Sequence, residues 1–122
     1  MGPNTSVSSC YRYGDTSAGS SMTQNGITIR EAQNIIKQIY FKRDKARGVN
    51  GTTLHLVEEV GELIRALRTG NRDKLSEEIS DVLAWLLSVA SLVEIDVEEA
   101  FISRYNFSCP KCHSSPCKCP KV

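Results

Sequence analysis

The sequence lacks the features that mark membrane and secreted proteins. It has no uninterrupted apolar run of about eighteen residues, and no basic segment followed by an apolar one at its N-terminus. Neither sign of charge dominates, because 15 Lys and Arg residues stand against 14 Asp and Glu residues. A net charge of +1 gives no general attraction to nucleic acid or to a membrane surface. We therefore expect a cytoplasmic protein that uses neither as a partner.

Most of the chain also lacks cysteine. Cys10 stands alone, and the other four of the five cysteines lie between positions 109 and 119. A disulfide framework would spread its cysteines through the fold, so this distribution argues against a secreted, disulfide-stabilised protein.

Composition divides the chain into three regions. Residues 1–26 are rich in Ser, Gly, Thr and Asn without apolar periodicity, and we predict a disordered extension because such a segment cannot bury enough apolar surface. Residues 27–106 carry helical periodicity and are predicted to form the folded domain. Residues 107–122 form a Cys-rich tail that we predict to be a short zinc-binding knuckle.

The periodicity predicts an all-α domain of four helices. The first begins at Thr28, where Glu31 completes a capping box, and ends near Gly48, with Asn50 and Gly51 following. The second ends before Gly70, and Asp96 caps the fourth. The last three helices are expected over about residues 53–68, 72–93 and 97–105.

The third predicted helix indicates self-association. Its apolar side chains cover well over half of its circumference, which is typical of a helix buried on several sides. Four helices of this length cannot enclose it alone. We predict a four-helix bundle that is completed by dimerisation, as a homodimer or a homotetramer.

Two pairs of carboxylates border the predicted core. Glu59 and Glu62 are three residues apart on the second helix, and Glu78 and Asp81 repeat this spacing on the third. Four facing carboxylates repel one another unless cations lie among them, and Mg²⁺ prefers oxygen ligands of this kind. The alternative is a solvated surface, on which acidic helices form ion pairs with basic residues along the same helix.

These segments resemble a known family. The sequence "EEVGE" from Glu58 to Glu62, followed by "EISD" from Glu78 to Asp81, is similar to the EExxE…ExxD motif of MazG-like nucleotide pyrophosphohydrolases. The likeness extends over about residues 28–105. It implies an all-α enzyme that hydrolyses a nucleoside triphosphate to the monophosphate and pyrophosphate. It also implies that Glu59, Glu62, Glu78 and Asp81 hold Mg²⁺ or Mn²⁺. We assign Glu58 a role either in supporting these ligands or in orienting water.

Three further residues are candidates for substrate binding. Trp85 projects between Glu78 and Asp81 and is predicted either to stack on a nucleobase or to fill the core or a dimer interface. His55 either contacts phosphate or sugar or hydrogen-bonds a carboxylate. Arg43 belongs to a basic run that either receives phosphates or solvates a helix end.

The tail offers a second candidate metal site. Cys109, Cys112, Cys117 and Cys119 supply enough thiolates for a closed tetrahedral Zn²⁺ site. Reduced thiols, a redox pair and an iron–sulfur site are the alternatives.

The sequence is compatible with two functions from different classes. The first is a pyrophosphohydrolase that cleans nucleotide pools, and a member of the family that binds nucleotide without cleaving it is a variant of this interpretation. The second is a non-catalytic helical dimerisation module that presents a zinc knuckle to nucleic acid or protein. The dimerisation module does not account for either pair of carboxylates.

Overall fold

A computed structural model describes residues 26–121 of the chain. Within that range there are three helices and no strand, which confirms the all-α class. They are α1 (Ile29–Thr69), α2 (Arg72–Leu92) and α3 (Val97–Arg104). The predicted disordered extension, with Cys10, lies outside the described residues except for its last position, Gly26.

The first two predicted helices meet directly at a kink, with no loop between them. Gly48 has φ 90° and ψ 167°, which are not helical, and α1 continues on both sides of it. The predicted end near Gly48 is confirmed, whereas the prediction that Asn50 and Gly51 also end the helix was wrong, since both are helical. Gly48 redirects the chain within a single residue because only glycine adopts these angles without strain. We call residues 29–47 and 49–69 the N-terminal and C-terminal segments of α1.

The predicted helix ends are formed by local caps. Thr28 Oγ1 accepts from the Glu31 N–H (3.0 Å), and Glu31 Oε1 accepts from the Thr28 N–H (2.8 Å), so the capping box is confirmed. Gly70 closes α1 in the left-handed conformation, with φ 73°. Asp96 caps α3 by accepting from the Glu99 N–H at 3.0 Å.

A buried glutamine holds the three helices together. Gln33 of α1 donates from Nε2 to Ser91 Oγ (3.2 Å) and to the Ile95 carbonyl (2.9 Å). Its Oε1 accepts from the Val97 N–H at 2.9 Å, at the start of α3. Because each polar group of the buried amide has a partner, its burial is compensated. The adjoining apolar core consists of Ile36, Tyr40, Ala84 and Leu87.

Two apolar stripes remain on the surface of the chain. The C-terminal segment of α1 exposes Leu54, Val57, Val60, Ile64 and Leu67, and α2 exposes Ile79, Leu83 and Leu86. Spacings of three and four residues place each set on one face of its helix. No helix in the described part of the chain combines the length and apolar content that a membrane crossing requires.

Candidate functional site

Three carboxylates from two helices meet beside the core. Glu59 lies on the C-terminal segment of α1, while Glu78 and Asp81 lie one turn apart on α2. One oxygen of each carboxylate lies within 4.8 Å of an oxygen of the other two. The short connection at Gly70 and Asn71 turns α2 back along α1, so that acidic positions far apart in sequence face each other.

Glu78 is the most buried member of this cluster, with 4% exposure. Its Oε2 lies 3.2 Å from Lys74 Nζ, one turn earlier on α2. Its Oε1 is buried and has no hydrogen-bond partner among the described residues while Glu59 is ionised; a protonated Glu59 hydrogen-bonds this carboxylate. A buried oxygen without a partner costs free energy, and a carboxylate oxygen costs more than a neutral one. The donor set therefore fits a hard cation, which would satisfy this oxygen.

The proximity of the carboxylates changes their protonation. Burial, followed by repulsion from Asp81 and Glu78, raises the pKa of Glu59 to about 7. Burial, followed by repulsion from Glu78, raises the pKa of Asp81 to about 6. A divalent cation would favour the ionised forms of both groups and release their protons. A cation at this cluster would therefore compete with protons near neutral pH.

The structure does not bring Glu62, the fourth predicted ligand, into this cluster. Glu62 Oε1 lies 3.5 Å from Arg65 Nη1 on the solvent side of the same helix. Its charge still contributes to the raised pKa of Glu59. Glu58 lies on the exposed surface with its Oε1 3.2 Å from His55 Nδ1, and its water-orienting role stays a prediction.

Trp85 occupies the core next to the cluster. Its side chain is 1% exposed. The His55 ring stacks on it, with centroids 4.7 Å apart and planes 14° apart, and the Arg47 guanidinium carbon lies 5.1 Å from its centroid. A nucleobase could reach the indole only if one of these neighbours moved. The geometry favours the core interpretation of Trp85, and direct contact of Trp85 or His55 with substrate stays a prediction.

Arg47 has a structural role, whereas the sequence interpretation placed it in the same basic run as Arg43. Its Nη1 donates to Asp44 Oδ1 at 2.8 Å and to Thr52 Oγ1 at 3.3 Å, and both acceptor residues are fully buried. These contacts bridge the kink at Gly48. The spacing of Asp44 and Arg47, one turn apart, was the available signal. Arg43, the predicted phosphate ligand, is exposed, and its role stays a prediction.

The structure brings the four tail cysteines together. Their sulfur atoms lie within 4.8 Å of one another, and none of the four is in a disulfide. The described part of the chain thus holds two groups of possible metal ligands, one of oxygen and one of sulfur.

Comparison with known proteins agrees with this arrangement. The model of the MazG nucleotide pyrophosphohydrolase domain matches residues 47–113. The match includes all three clustered carboxylates and begins at Arg47. Among curated proteins, none matches the chain.

Proposed function

The chain belongs to the MazG nucleotide pyrophosphohydrolase family, and from this premise we propose that it is a Mg²⁺-dependent nucleoside triphosphate pyrophosphohydrolase. It converts a ribo- or deoxyribonucleoside triphosphate to the monophosphate and pyrophosphate, in the service of nucleotide-pool cleaning. Mn²⁺ would serve in place of Mg²⁺, because both prefer oxygen ligands.

The observation that carries this proposal is the unpaired Oε1 of Glu78 within the carboxylate cluster. Solvated acidic residues would not be buried, and a merely structural carboxylate would have its oxygens paired. The raised pKa values of Glu59 and Asp81 result first from burial and then from repulsion within the cluster. A cation bound with the substrate triphosphate would offset both.

Each acidic residue has a distinct role in this proposal. Glu59, Glu78 and Asp81 would hold a divalent cation, which would supply stabilisation of charge on the triphosphate oxygens and activation of the attacking water. Glu62 completes the ligand set by leaving Arg65. Glu58, held by His55, orients the attacking water and accepts its proton. Lys74 holds the remaining oxygen of Glu78 and fixes the direction of that carboxylate.

We also propose that a second copy of the chain covers the exposed apolar stripes of α1 and α2. The Leu and Ile side chains of these stripes range from 45% exposed, at Leu86, to 65% exposed, at Leu54. Contiguous apolar surface of this kind marks an association site in soluble proteins. The assembly is a homodimer, or a homotetramer built from such dimers. The catalytic domain spans residues 27–106 and needs no residue of the cysteine tail.

A product assay tests the activity. The protein is incubated with Mg²⁺ and a panel of canonical and damaged nucleoside triphosphates, and the phosphate product is identified. We expect pyrophosphate and monophosphate. Release of orthophosphate, or no turnover of any nucleotide, would contradict the proposal. Absence of turnover in a well-folded dimer would favour the non-catalytic dimerisation module.

Matched variants test the site. Glu59→Gln, Glu78→Gln and Asp81→Asn should each abolish turnover while the helical circular dichroism is kept, because each removes a ligand charge and little volume. Glu99→Gln on α3 makes the same change on an exposed helix and should retain wild-type activity. Near-normal activity in a cluster variant would remove that residue from the ligand set.

A further inference from the structure

The sulfur atoms of the tail have the spacing of a single metal site. Cys109 Sγ lies 3.8 Å from Cys119 Sγ, and Cys112 Sγ lies 3.8 Å from Cys117 Sγ. Four thiolates around one Zn²⁺ at about 2.3 Å form a tetrahedron whose edges are about 3.8 Å. Both pairs therefore have the sulfur–sulfur separation expected around one tetrahedral Zn²⁺.

We propose that these four cysteines bind one Zn²⁺, in a site independent of the carboxylate cluster. A disulfide would require sulfurs about 2.05 Å apart, so neither close pair is bonded. In a multinuclear iron–sulfur cluster, different irons hold different cysteines, which separates the sulfurs more widely than around a single ion. The mutual proximity of all four sulfurs, within 4.8 Å, fits one ion.

Backbone amides are directed at the sulfurs. The Lys111 N–H donates to Cys109 Sγ at 3.4 Å, and the Cys119 N–H donates to Cys117 Sγ at 3.3 Å. The Lys118 N–H donates to Cys112 Sγ at 3.2 Å. In each chelating half, Cys-x2-Cys and Cys-x-Cys, the sulfur of the first cysteine thus accepts from the backbone N–H of the residue two positions later. Such bonds stabilise thiolates and fix their orientation toward a shared ion.

The local charge suits a thiolate site. Zn²⁺ with four thiolates carries a net charge of −2. Residues 100–122 contain no Asp or Glu and four cationic side chains: Arg104, Lys111, Lys118 and Lys121. This surplus offsets the charge of the site. Soft thiolates also select zinc over magnesium, whereas the carboxylates favour the harder ion, so the two sites take different metals.

The segment from 105 to 121 has little else to hold it together. None of these residues is buried, and Phe107 is 83% exposed. Backbone hydrogen bonds within the loop run from the Cys109 N–H to the Ser114 carbonyl (3.0 Å) and from the His113 N–H to the Cys109 carbonyl (2.7 Å). A segment without an apolar core gains its folding free energy from the metal. The ion therefore orders the tail, and the helices stay folded when the ion is removed.

Metal analysis of the full-length protein tests the site. The protein is produced with zinc and iron both supplied, purified without chelator, and analysed by mass spectrometry of its metals. We expect one zinc per chain. Replacement by Co²⁺ should give the thiolate-to-cobalt absorption and intense visible bands of a tetrahedral site. Iron as the bound metal, or no metal after addition of stoichiometric zinc, would overturn the proposal.

Variants and a titration complete the test. Cys109→Ser and Cys117→Ser, one from each chelating half, should lower the zinc content at least about tenfold, whereas Cys10→Ser should keep one zinc per chain. Should the variants fail to fold, a mercurial titration of the wild-type protein replaces them, and zinc should leave as four thiols are modified. Full zinc retention in either tail variant, or release without reaction of these thiols, refutes the site. Nucleotide turnover does not enter this test, so it stands apart from the proposed activity.

Discussion

The imidazole of His55 lies nearly parallel to the indole of Trp85, with 4.7 Å between their centroids. His55 precedes Glu59 by four residues on α1, and Trp85 follows Asp81 by four residues on α2. The stack therefore joins the two helices one turn away from the carboxylates that they contribute. Stacked rings are rigid contacts, so this pair helps to fix the distance between the two halves of the candidate metal site.

Trp85→Ala tests this structural role. Because the side chain is 1% exposed, its removal should lower the free energy of unfolding by about 3–5 kcal/mol, with a smaller loss for Trp85→Phe. Urea unfolding measures the loss, and KM is measured on the folded protein. Phe107→Ala, at an exposed position, should leave the helical core unaffected. A raised KM with unchanged stability would instead show that Trp85 contacts the base.

Arg65→Ala tests whether Glu62 moves to the metal. If Glu62 must leave Arg65 to become a ligand, loss of this exposed ion pair should lower the Mg²⁺ concentration for half-maximal activity by about two- to fivefold, corresponding to about 0.4–1 kcal/mol. Arg68→Ala removes the same charge from the same helix and is the control. Equal effects of both variants would show a general charge effect and count against movement of Glu62.

The raised pKa values predict how stability depends on pH without metal. The folded chain binds protons at Glu59 and Asp81 more tightly than the unfolded chain, whose carboxyl pKa values are near 4. This contribution to stability is fully present below about pH 4, decreases as the pH rises, and is lost once the pH has passed the folded-state pKa values of about 6 and about 7. The Tm of the metal-free protein should therefore fall over this range, and Mg²⁺ should raise Tm more at pH 8 than at pH 5.

Glu59→Gln is the control for that pH dependence. It removes the group with the higher pKa, and the fall in Tm between pH 5 and pH 8 should become shallower. If Mg²⁺ stabilises the wild-type protein equally at both pH values, binding does not compete with protonation of the cluster. That result would contradict the electrostatic account of the site.

A pair of glycine substitutions tests the kink in α1. Gly48→Ala should destabilise the chain by about 1–3 kcal/mol, because an L-residue is strained at φ 90° and ψ 167° although its Cβ would meet no atom. Gly61→Ala, within a regular helix and with open space at its Cβ, should be stabilising by about 0.4–1 kcal/mol. Urea unfolding of both variants gives the comparison. A neutral Gly48→Ala would mean that the kink straightens without cost.

The helix ends were predictable because capping is local. The side chains of Thr28 and Asp96 bind amides three residues away, and Gly70 acts through its own backbone. The continuation of α1 was not predictable from periodicity. Gly48 followed by Asn50 and Gly51 indicates a loop equally well, and only the dihedral angles show that one residue makes the bend.

The carboxylate site was predictable in part. Periodicity correctly placed Glu59, Glu78 and Asp81 at the margins of two helices, and the structure brings them together. It could not separate Glu62 from them, since an angular projection gives the face of a helix but no distance to the facing helix. The contact of Arg47 with Trp85 depends on how the kink sets the segments of α1 against α2, which no spacing along a single helix contains.

The absence of a loop after Gly48 couples the number of residues in the C-terminal segment of α1 to its orientation. Each residue added to or removed from the stretch between the kink and Glu59 would rotate the rest of that segment by about 100° relative to the N-terminal segment. Glu59, Glu78 and Asp81 all follow this stretch, so a single deletion there would leave the chain that joins them unchanged. It would instead turn the cluster relative to the N-terminal segment, whose Gln33 and Tyr40 pack against α2. A change in length next to the kink would thus break contacts between α1 and α2 while every side chain of the site remained present.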